Sequence, residues 1–172
     1  MDFVYKIIFC PLTLVFVCLL SVAGCGKKTI NPTNDMGFFA KNAKYGDVTL
    51  GSEQDFVVNV GDRVFFSLDS SVIEADAQRI LMRQAEWLLS YPQYTIMVEG
   101  HADDRGTREY NLALGQRRAV AVRDYLISLG ISPQRMKTMS YGKERPVAVC
   151  DDISCWNQNR RVVISVTSKG GA

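Results

Sequence analysis

Apolar positions from about residue 47 onwards recur with two alternating periods, which predicts strands and helices in turn. Four short β-rich runs are predicted strands: residues 64–68, 95–99, 136–141 and 161–167. Helical spacing predicts one helix that Pro92 stops and a longer one that ends at Leu129, with Gly130 as its C-cap. A short helix is expected over residues 151–159. The order β-α-β-α-β-(α)-β indicates an α+β domain, a mixed sheet with helices mainly on one face.

The first helix is predicted to open at a capping box. Ser71-Val72-Ile73-Glu74 has the serine and the glutamate three residues apart that this motif requires. The residues that follow place apolar side chains on a single stripe that should face the sheet: Ile73, Ala77, Ile80, Leu81 and Leu88.

The second long helix carries an arginine on its apolar face. Arg118 lies four residues after Leu114 and four before Val122, within a stripe that continues to Tyr125 and Leu129. A guanidinium group that faces the core needs a carboxylate or several other acceptors, because an unpaired buried charge is very costly. Arg118 is therefore the most informative single residue of the chain.

Two interpretations of Arg118 follow from the residues alone. In the first, it forms a structural ion pair with Asp103 or Asp104 from the preceding loop. In the second, it lies at the mouth of a pocket and receives a ligand's carboxylate, for which its fork geometry is suited. Asp69 and Asp103, each at the end of a predicted strand, would then hold a ligand's ammonium group.

The N-terminus has the pattern of an export signal. A polar start with one lysine precedes the almost wholly apolar residues 7–22, and Val22-Ala23-Gly24-Cys25 follows. Small residues directly before a cysteine look like a lipobox, which predicts cleavage of the signal peptide 1–24 and lipidation of Cys25. An uncleaved transmembrane helix is the alternative, but the apolar run is of borderline length and contains Pro11. By resemblance to lipoprotein sorting rules, glycine at position 26 suggests passage to the outer membrane.

Three further segments are predicted after the signal peptide. Residues 25–46 form the lipidated N-terminus and a flexible tether, because they show no sustained periodicity. Residues 47–167 form the globular domain, and residues 168–172 are a short C-terminal tail. A net charge of +2 implies no strongly basic face, so no nucleic-acid partner is expected.

Cysteine content predicts a disulfide in the domain. After removal of residues 1–24 and lipidation of Cys25, Cys150 and Cys155 remain in an oxidising compartment, where they are expected to pair. Two free buried thiols are the alternative. The pair alone cannot form a metal site, since structural sites use about four ligands and nothing nearby supplies the others, and no cofactor is expected.

Several sequence stretches carry a family resemblance. EGHADDRGTREYNLALGQRRAVAVRDYLISLGI is very similar to the OmpA-like peptidoglycan-binding domain, as are VFFSLDSSVI before it and SYGKERPVA and NQNRRVVISV after it. The resemblance covers residues 63–166 and implies recognition of meso-diaminopimelate, a zwitterionic residue of the peptidoglycan stem peptide. It places the carboxylate clamp on Arg118 and the partner aspartates on Asp69 and Asp103. It also adds three positions that line the same site: Arg105, Asn111 and Leu114.

The lipobox and tether narrow the resemblance to the lipid-anchored members of this family, which work in the Tol–Pal system. This implies an outer-membrane protein that faces the periplasm, links the membrane to the wall and acts in envelope integrity and cell division. The implied partners are peptidoglycan, the propeller protein TolB and also TolA. The alternative is a lipoprotein that mainly binds TolB and has no strong wall binding. Asn157–Arg161 either helps to hold the site or a partner, or opens the last strand with solvated charge.

An enzyme is the rival class, and the residues argue against it. His101 is the chain's one histidine, and no serine or cysteine nucleophile has an obvious partner. His101 is expected to be a strand-end histidine bonded to backbone. Three positions depart from the family's usual residues but leave the charged positions intact: Leu68, Ala102 and Asp104.

Overall fold

The computed structural model describes residues 48–168. The predicted signal peptide, the predicted lipidation site Cys25 and the predicted tether lie outside these residues. So does the predicted tail, apart from Ser168, which is the last residue of the final strand. Of the helices in the described part, none has the length and apolar character needed to cross a bilayer.

The described chain alternates strands and helices in the predicted order. It contains α1 (Glu53–Asp55), β1 (Arg63–Phe65), α2 (Ala75–Ser90), β2 (Tyr94–His101), α3 (Arg108–Ser128), β3 (Met136–Gly142), α4 (Ile153–Asn159) and β4 (Arg161–Ser168). The α+β prediction is confirmed. The pattern did not predict α1, its π-helical continuation Phe56–Val60 or the 3₁₀ turn Pro133–Arg135.

The four strands form one mixed sheet in the order β1-β4-β2-β3. Strand β4 is antiparallel to both of its neighbours, and β2 is parallel to β3. Strand β1 ends three residues earlier than predicted because its partner β4 begins at Arg161, which pairs with Phe65. The chain then turns at Asp69, whose backbone φ of 53° lies in the left-handed region.

The predicted capping box is wrong. Helix α2 begins at Ala75, with Glu74 as its N-cap instead of three residues inside the helix. The Glu74 carboxylate accepts a hydrogen bond from the Ser67 hydroxyl at 2.6 Å and caps no helix amide. The sequence has the spacing of the motif, but Glu74 bonds to the turn after β1 instead of to a helix amide, because a tertiary contact overrides the local preference.

The core lies between the sheet and helices α2 and α3. Alternate residues of β2 and β4, among them Val98 and Ile164, point to this side and are buried. Leu81 and Leu88 of α2 and Val122 of α3 cover them, as the predicted stripes require. Each such side chain contributes about 1.5–3 kcal/mol when it is fully buried.

A close contact between two glycines sets the position of α3. A Cβ atom on Gly100 of β2 would lie 1.8 Å from the carbonyl oxygen of Gly115, so only glycine fits there. The backbones of β2 and α3 therefore approach each other at this point. This brings Arg118, one turn further along the helix, close to the residues that follow the end of β2.

Candidate functional site

A cavity of about 180 Å³ opens where the end of β2 meets the first half of α3 and the turn after β1. Its wall contains all six residues predicted as ligand contacts: Asp69, Asp103, Arg105, Asn111, Leu114 and Arg118. Four other residues complete the wall: Leu68, Gly106, Tyr110 and Arg160. Three guanidinium groups and two carboxylates thus surround one small space.

Arg118 is fully buried and bonded to backbone carbonyls. Its Nε donates to Ser70 O at 2.8 Å, Nη1 to His101 O at 2.8 Å and Nη2 to Ser67 O at 3.1 Å. Among residues 48–168 it forms no ion pair with Asp103 or Asp104, so the predicted structural pair is not present. The turn after β1 and the end of β2 supply the acceptors instead.

The Arg118 guanidinium keeps both its charge and part of its donor capacity. Burial, together with the nearby charge of Arg160, lowers the pKa of Arg118 to about 10, so it stays protonated at neutral pH. A guanidinium group has five N–H donors, and the three carbonyls use three of them. Arg118 therefore supports the fold and still offers positive charge to the cavity.

Asp103 is a buried carboxylate held by two arginines. Its Oδ2 accepts from Arg105 at 2.6 Å and from Arg160 at 3.2 Å. Burial raises the pKa of Asp103, but the hydrogen bonds from these two arginines outweigh burial and hold the pKa below its ordinary value. The group is therefore ionised at neutral pH. The hydrogen bonds from Arg105 and Arg160 thus reach the same oxygen.

Arg105 and Asn111 shape the loop between β2 and α3. The Arg105 guanidinium carbon lies 4.1 Å from the centre of the Trp156 ring, and its side chain is 38% exposed. Its carbonyl accepts from Asn111 Nδ2 at 2.7 Å, and Asn111 itself is buried. Asn111 thus fixes the loop that presents Arg105, in addition to lining the cavity.

Asp69 and Tyr110 meet at the rim. The Tyr110 hydroxyl donates to Asp69 Oδ1, which raises the pKa of the tyrosine. Tyr110 did not appear in the sequence prediction, although a signal was available. It lies four residues before Leu114 and eight before Arg118, on the same helix face.

Arg160 is the cavity residue that sequence reasoning left undecided. It donates to Phe66 O at 3.1 Å, to Asp103 and to Asn157 Oδ1. Arg160 and its neighbour Arg161 are 6% and 4% exposed. The interpretation of this segment as solvated charge is therefore wrong for both arginines. Where a strand begins, adjacent side chains point to opposite faces of the sheet. Arg160 and Arg161 therefore donate to different sets of acceptors.

His101 lies beneath the cavity without the expected backbone bond. Its ring is 2% exposed and stacks on Tyr141 at 5.5 Å, and within residues 48–168 neither ring nitrogen has a hydrogen-bond partner. Burial and the charges of Arg161 and Arg145 lower its pKa to about 4, so the ring is neutral at neutral pH. Its carbonyl, not its ring, takes part in the site by accepting from Arg118.

Cys150 and Cys155 are joined by a disulfide, with their Cα atoms 5.7 Å apart. Asp152 lies between them and caps α4 by accepting from the Ser154 amide at 2.7 Å. These three side chains lie within 4.8 Å of one another, but bonded sulfur atoms are not thiolates and do not act as metal ligands in this state.

Comparison with known proteins finds relatives over nearly the whole chain. The OmpA family model matches residues 65–160. A protein of Mesorhizobium japonicum named peptidoglycan-associated lipoprotein is 60% identical over 161 residues, which cover 93% of this chain and 94% of that protein. The crystal structure of the peptidoglycan-associated lipoprotein from Burkholderia pseudomallei has a TM-score of 0.63 at 40% identity, covering 67% of this chain and 100% of that one. The C-terminal domain of Helicobacter pylori MotB has a TM-score of 0.59 at 28% identity, covering 63% and 86%.

Proposed function

Since this chain belongs to the OmpA family and to the peptidoglycan-associated lipoproteins within it, we propose that it binds peptidoglycan non-covalently through diaminopimelate. It is a structural lipoprotein of the cell envelope and not an enzyme. In this proposal Cys25 carries the lipid that holds the protein on the outer membrane, facing the periplasm. The folded domain binds the peptidoglycan of the cell wall, and the protein acts within the Tol–Pal system in envelope integrity and cell division.

The observation that carries the proposal is a small cavity with charges of both signs. The side chain of diaminopimelate ends in one ammonium and one carboxylate group. Its carboxylate would lie against the guanidinium groups of Arg105 and Arg118, and its ammonium against Asp69 and Asp103. Hydrogen bonds between such charged groups contribute about 1.5–3 kcal/mol each. A space of about 180 Å³ accepts the end of one side chain, so the rest of the muropeptide stays outside.

The proposed mechanism is mechanical. Each buried methylene of a lipid anchor contributes about 0.8 kcal/mol, so several acyl chains on Cys25 would hold the N-terminus firmly. The predicted tether 25–46 would span about 25 Å on average and about three times that when extended. Reversible binding at the cavity would then let the link between membrane and wall move during constriction.

The test compares two ligands that differ by one group. The full chain, purified in detergent, is titrated calorimetrically with the tripeptide L-Ala-D-Glu-meso-diaminopimelate and with its L-lysine analogue, which lacks the side-chain carboxylate. We expect binding of the first and at least about tenfold weaker binding of the second, because a lost charge-assisted pair is worth about 1.4 kcal/mol or more. Equal affinities would refute the diaminopimelate pocket.

A second candidate function is binding of TolB over the same region. Leu68 at the cavity and Val72 in the turn after β1 are 59% and 67% exposed, which is a surface that a protein partner would cover. If TolB binds here, it should displace the diaminopimelate tripeptide. Should TolB bind while isolated cell-wall sacculi do not, the interaction role would replace wall binding.

A further inference from the structure

Helix α4 contacts both arginines that hold Asp103. The ring of Trp156 lies 4.1 Å from the Arg105 guanidinium carbon, and Asn157 accepts a hydrogen bond from Arg160. Trp156 does not line the cavity itself. Its effect on a ligand would therefore pass through Arg105.

The contact between Trp156 and Arg105 is made by the ring face. The indole Nε1 is buried and has no hydrogen-bond partner within residues 48–168, so a hydrogen bond does not explain the position of the side chain. Trp156 also lies outside the apolar core cluster, which contains the chain's other tryptophan, Trp87. What remains is the stacking of a guanidinium group on an aromatic face, a favourable arrangement for arginine.

Arg105 needs such support to be a defined ligand contact. Its side chain is 38% exposed, and partly exposed ion pairs hold long side chains only weakly. With Asp103 on one side and the Trp156 ring on the other, the guanidinium group is restricted before a ligand arrives. Such preorganisation lowers the entropic cost of ligand binding.

Helix α4 is too short to hold Trp156 in place alone. It has seven residues, and isolated helices of this length are marginal in water. Asp152 caps its first turn, and the disulfide joins Cys155 to Cys150 in the preceding loop. Asn159 at its end accepts from the Val147 amide at 2.8 Å and donates to Ala148 O at 2.7 Å. The loop and the helix are thus tied together at both ends.

We propose that Trp156 is a positioning residue for the ligand cavity, acting through Arg105, and that the Cys150–Cys155 disulfide holds Trp156 in position. The inference rests on the proposed function, because it concerns the affinity of the same cavity. Reduction of the disulfide then weakens ligand binding while the sheet and helices α2 and α3 stay folded.

The experiment is a double-mutant cycle on the full chain in detergent, titrated with the diaminopimelate tripeptide. Trp156→Leu should raise Kd about three- to fivefold, the usual size of a cation–π contact, and Trp156→Phe should restore part of the loss. In an Arg105→Gln background, Trp156→Leu should have no further effect. A reductant, or Cys150→Ser with Cys155→Ser, should raise Kd to a similar extent. Urea unfolding of each variant checks the fold.

Two results would overturn the proposal. If Trp156→Leu weakens binding as much with Arg105→Gln as without it, Trp156 does not act through Arg105. If reduction leaves Kd unchanged while Trp156→Leu raises it, the disulfide does not hold Trp156.

A ligand-free measurement separates this inference from the proposed function. The order parameter of the Arg105 Nε–H bond, measured by nuclear magnetic resonance, should fall on reduction and in Trp156→Leu. If the wild-type protein does not bind the tripeptide, the proposed function fails. The order parameter then tests only whether Trp156 and the disulfide hold Arg105. An unchanged value on reduction and in Trp156→Leu would refute this positioning role.

Discussion

The two ends of strand β2 each have a buried aspartate beside them, and the two carboxylates differ in what holds them. Asp55, near the start of the strand, accepts from Asn59 at 2.7 Å, Trp87 at 2.8 Å and the Gly51 amide at 2.9 Å. All three donors are neutral, and both oxygens are used. Asp103, just past the end of the strand, accepts from two arginines at one oxygen.

Burial alone does not distinguish the two, since Asp55 is 4% exposed and Asp103 6%. In both, burial raises the pKa and hydrogen bonds outweigh it, so both pKa values lie below the ordinary value. The difference lies in the surroundings. The Asp55 end joins its carboxylate to an aromatic cluster. The Asp103 end also holds the left-handed Asp69 and the His101 ring, which has no hydrogen-bond partner among residues 48–168.

A buried charge therefore marks a functional site when the polar groups around it lack some of their hydrogen-bond partners or their balancing charge. Neutral donors that reach both oxygens make Asp55 a structural group. Excess positive charge, the left-handed backbone at Asp69 and ring nitrogens without a partner in the described part of the chain lower stability at the cavity end, and such costs cluster at functional sites. The following predictions separate the two ends, from the largest expected effect to the smallest.

Asp55→Ala should lower the free energy of unfolding by about 3 kcal/mol or more. It leaves the Trp87 indole and the Gly51 amide without their acceptor, and a buried unsatisfied donor costs about 1–3 kcal/mol. Urea denaturation measures the loss. Tripeptide affinity of the folded protein should not change, since the cavity lies at the other end of β2. A loss below about 1 kcal/mol would show that Asp55 is not a structural anchor.

Acidification should lower the free energy of unfolding through His101, at the cavity end, before either buried aspartate is protonated. His101 has a folded pKa of about 4, against an ordinary value of 6.5. Between these values the unfolded chain binds a proton that the folded chain does not, so unfolding free energy falls as pH falls from 6.5 to 4. The expected loss is at most about 1.4 kcal/mol per pH unit, or roughly 2–3 kcal/mol in all.

Urea denaturation at several pH values from 7.5 to 4.5 tests this. Because the chain has one histidine, His101→Gln should flatten the profile above pH 4.5. Asp55 and Asp103, whose pKa values are lowered, contribute stability that is present above the unfolded value and is lost only at lower pH. Equal unfolding free energies at pH 7 and pH 5 would contradict the buried neutral histidine.

Asp103→Asn should weaken tripeptide binding at least about tenfold, which corresponds to 1.4 kcal/mol. It removes the charge that faces a ligand's ammonium group but keeps an oxygen for Arg105 and Arg160. Stability should fall as well, by about 1.5–3 kcal/mol, because the buried Arg160 guanidinium loses its counter-charge. Affinity is therefore compared only between variants that urea denaturation shows to be folded. A sacculus pull-down provides a second readout, with Asp104→Asn as the matched control outside the cavity wall. Equal binding by both variants would remove Asp103 from the site.

Tyr110→Phe should have the smallest effect, about a two- to threefold loss of affinity. It removes the hydroxyl that donates to Asp69, and a hydrogen bond between exposed groups is weak because water competes for it. Calorimetric titration measures it, with Tyr125→Phe as the control outside the cavity wall. An unchanged affinity in Tyr110→Phe would show that Asp69 orients itself without the tyrosine.

Arg118, by contrast, is a poor test residue. Its removal would leave Ser67 O, Ser70 O and His101 O without their buried donor. Loss of binding in an Arg118→Ala protein would therefore mix a folding defect with the loss of a ligand contact.

Much of the fold was predictable because periodicity is a local property. Strands β2, β3 and β4 and helices α2 and α3 agree with the apolar pattern to within a few residues. Helix α3 also ends as predicted. The Gly130 and Ile131 amides donate to Ile127 O and Leu126 O, and Gly130 has a φ of 96°. The start of α2 was misplaced because a contact across the fold redirected Glu74.

For the site, the sequence by itself determined which residues carry charge and that Arg118 faces the core, since helical spacing decides the face. The tertiary structure decided what satisfies each charge. Three backbone carbonyls, and not Asp103, accept hydrogen bonds from Arg118. Asp103 is bonded instead to Arg160, which lies 57 residues after it in the sequence. Likewise, only the fold brings Trp156 onto Arg105. Hydrogen bonds and stacking act over a few ångströms between residues far apart in sequence, so their partners are set only when the chain has folded.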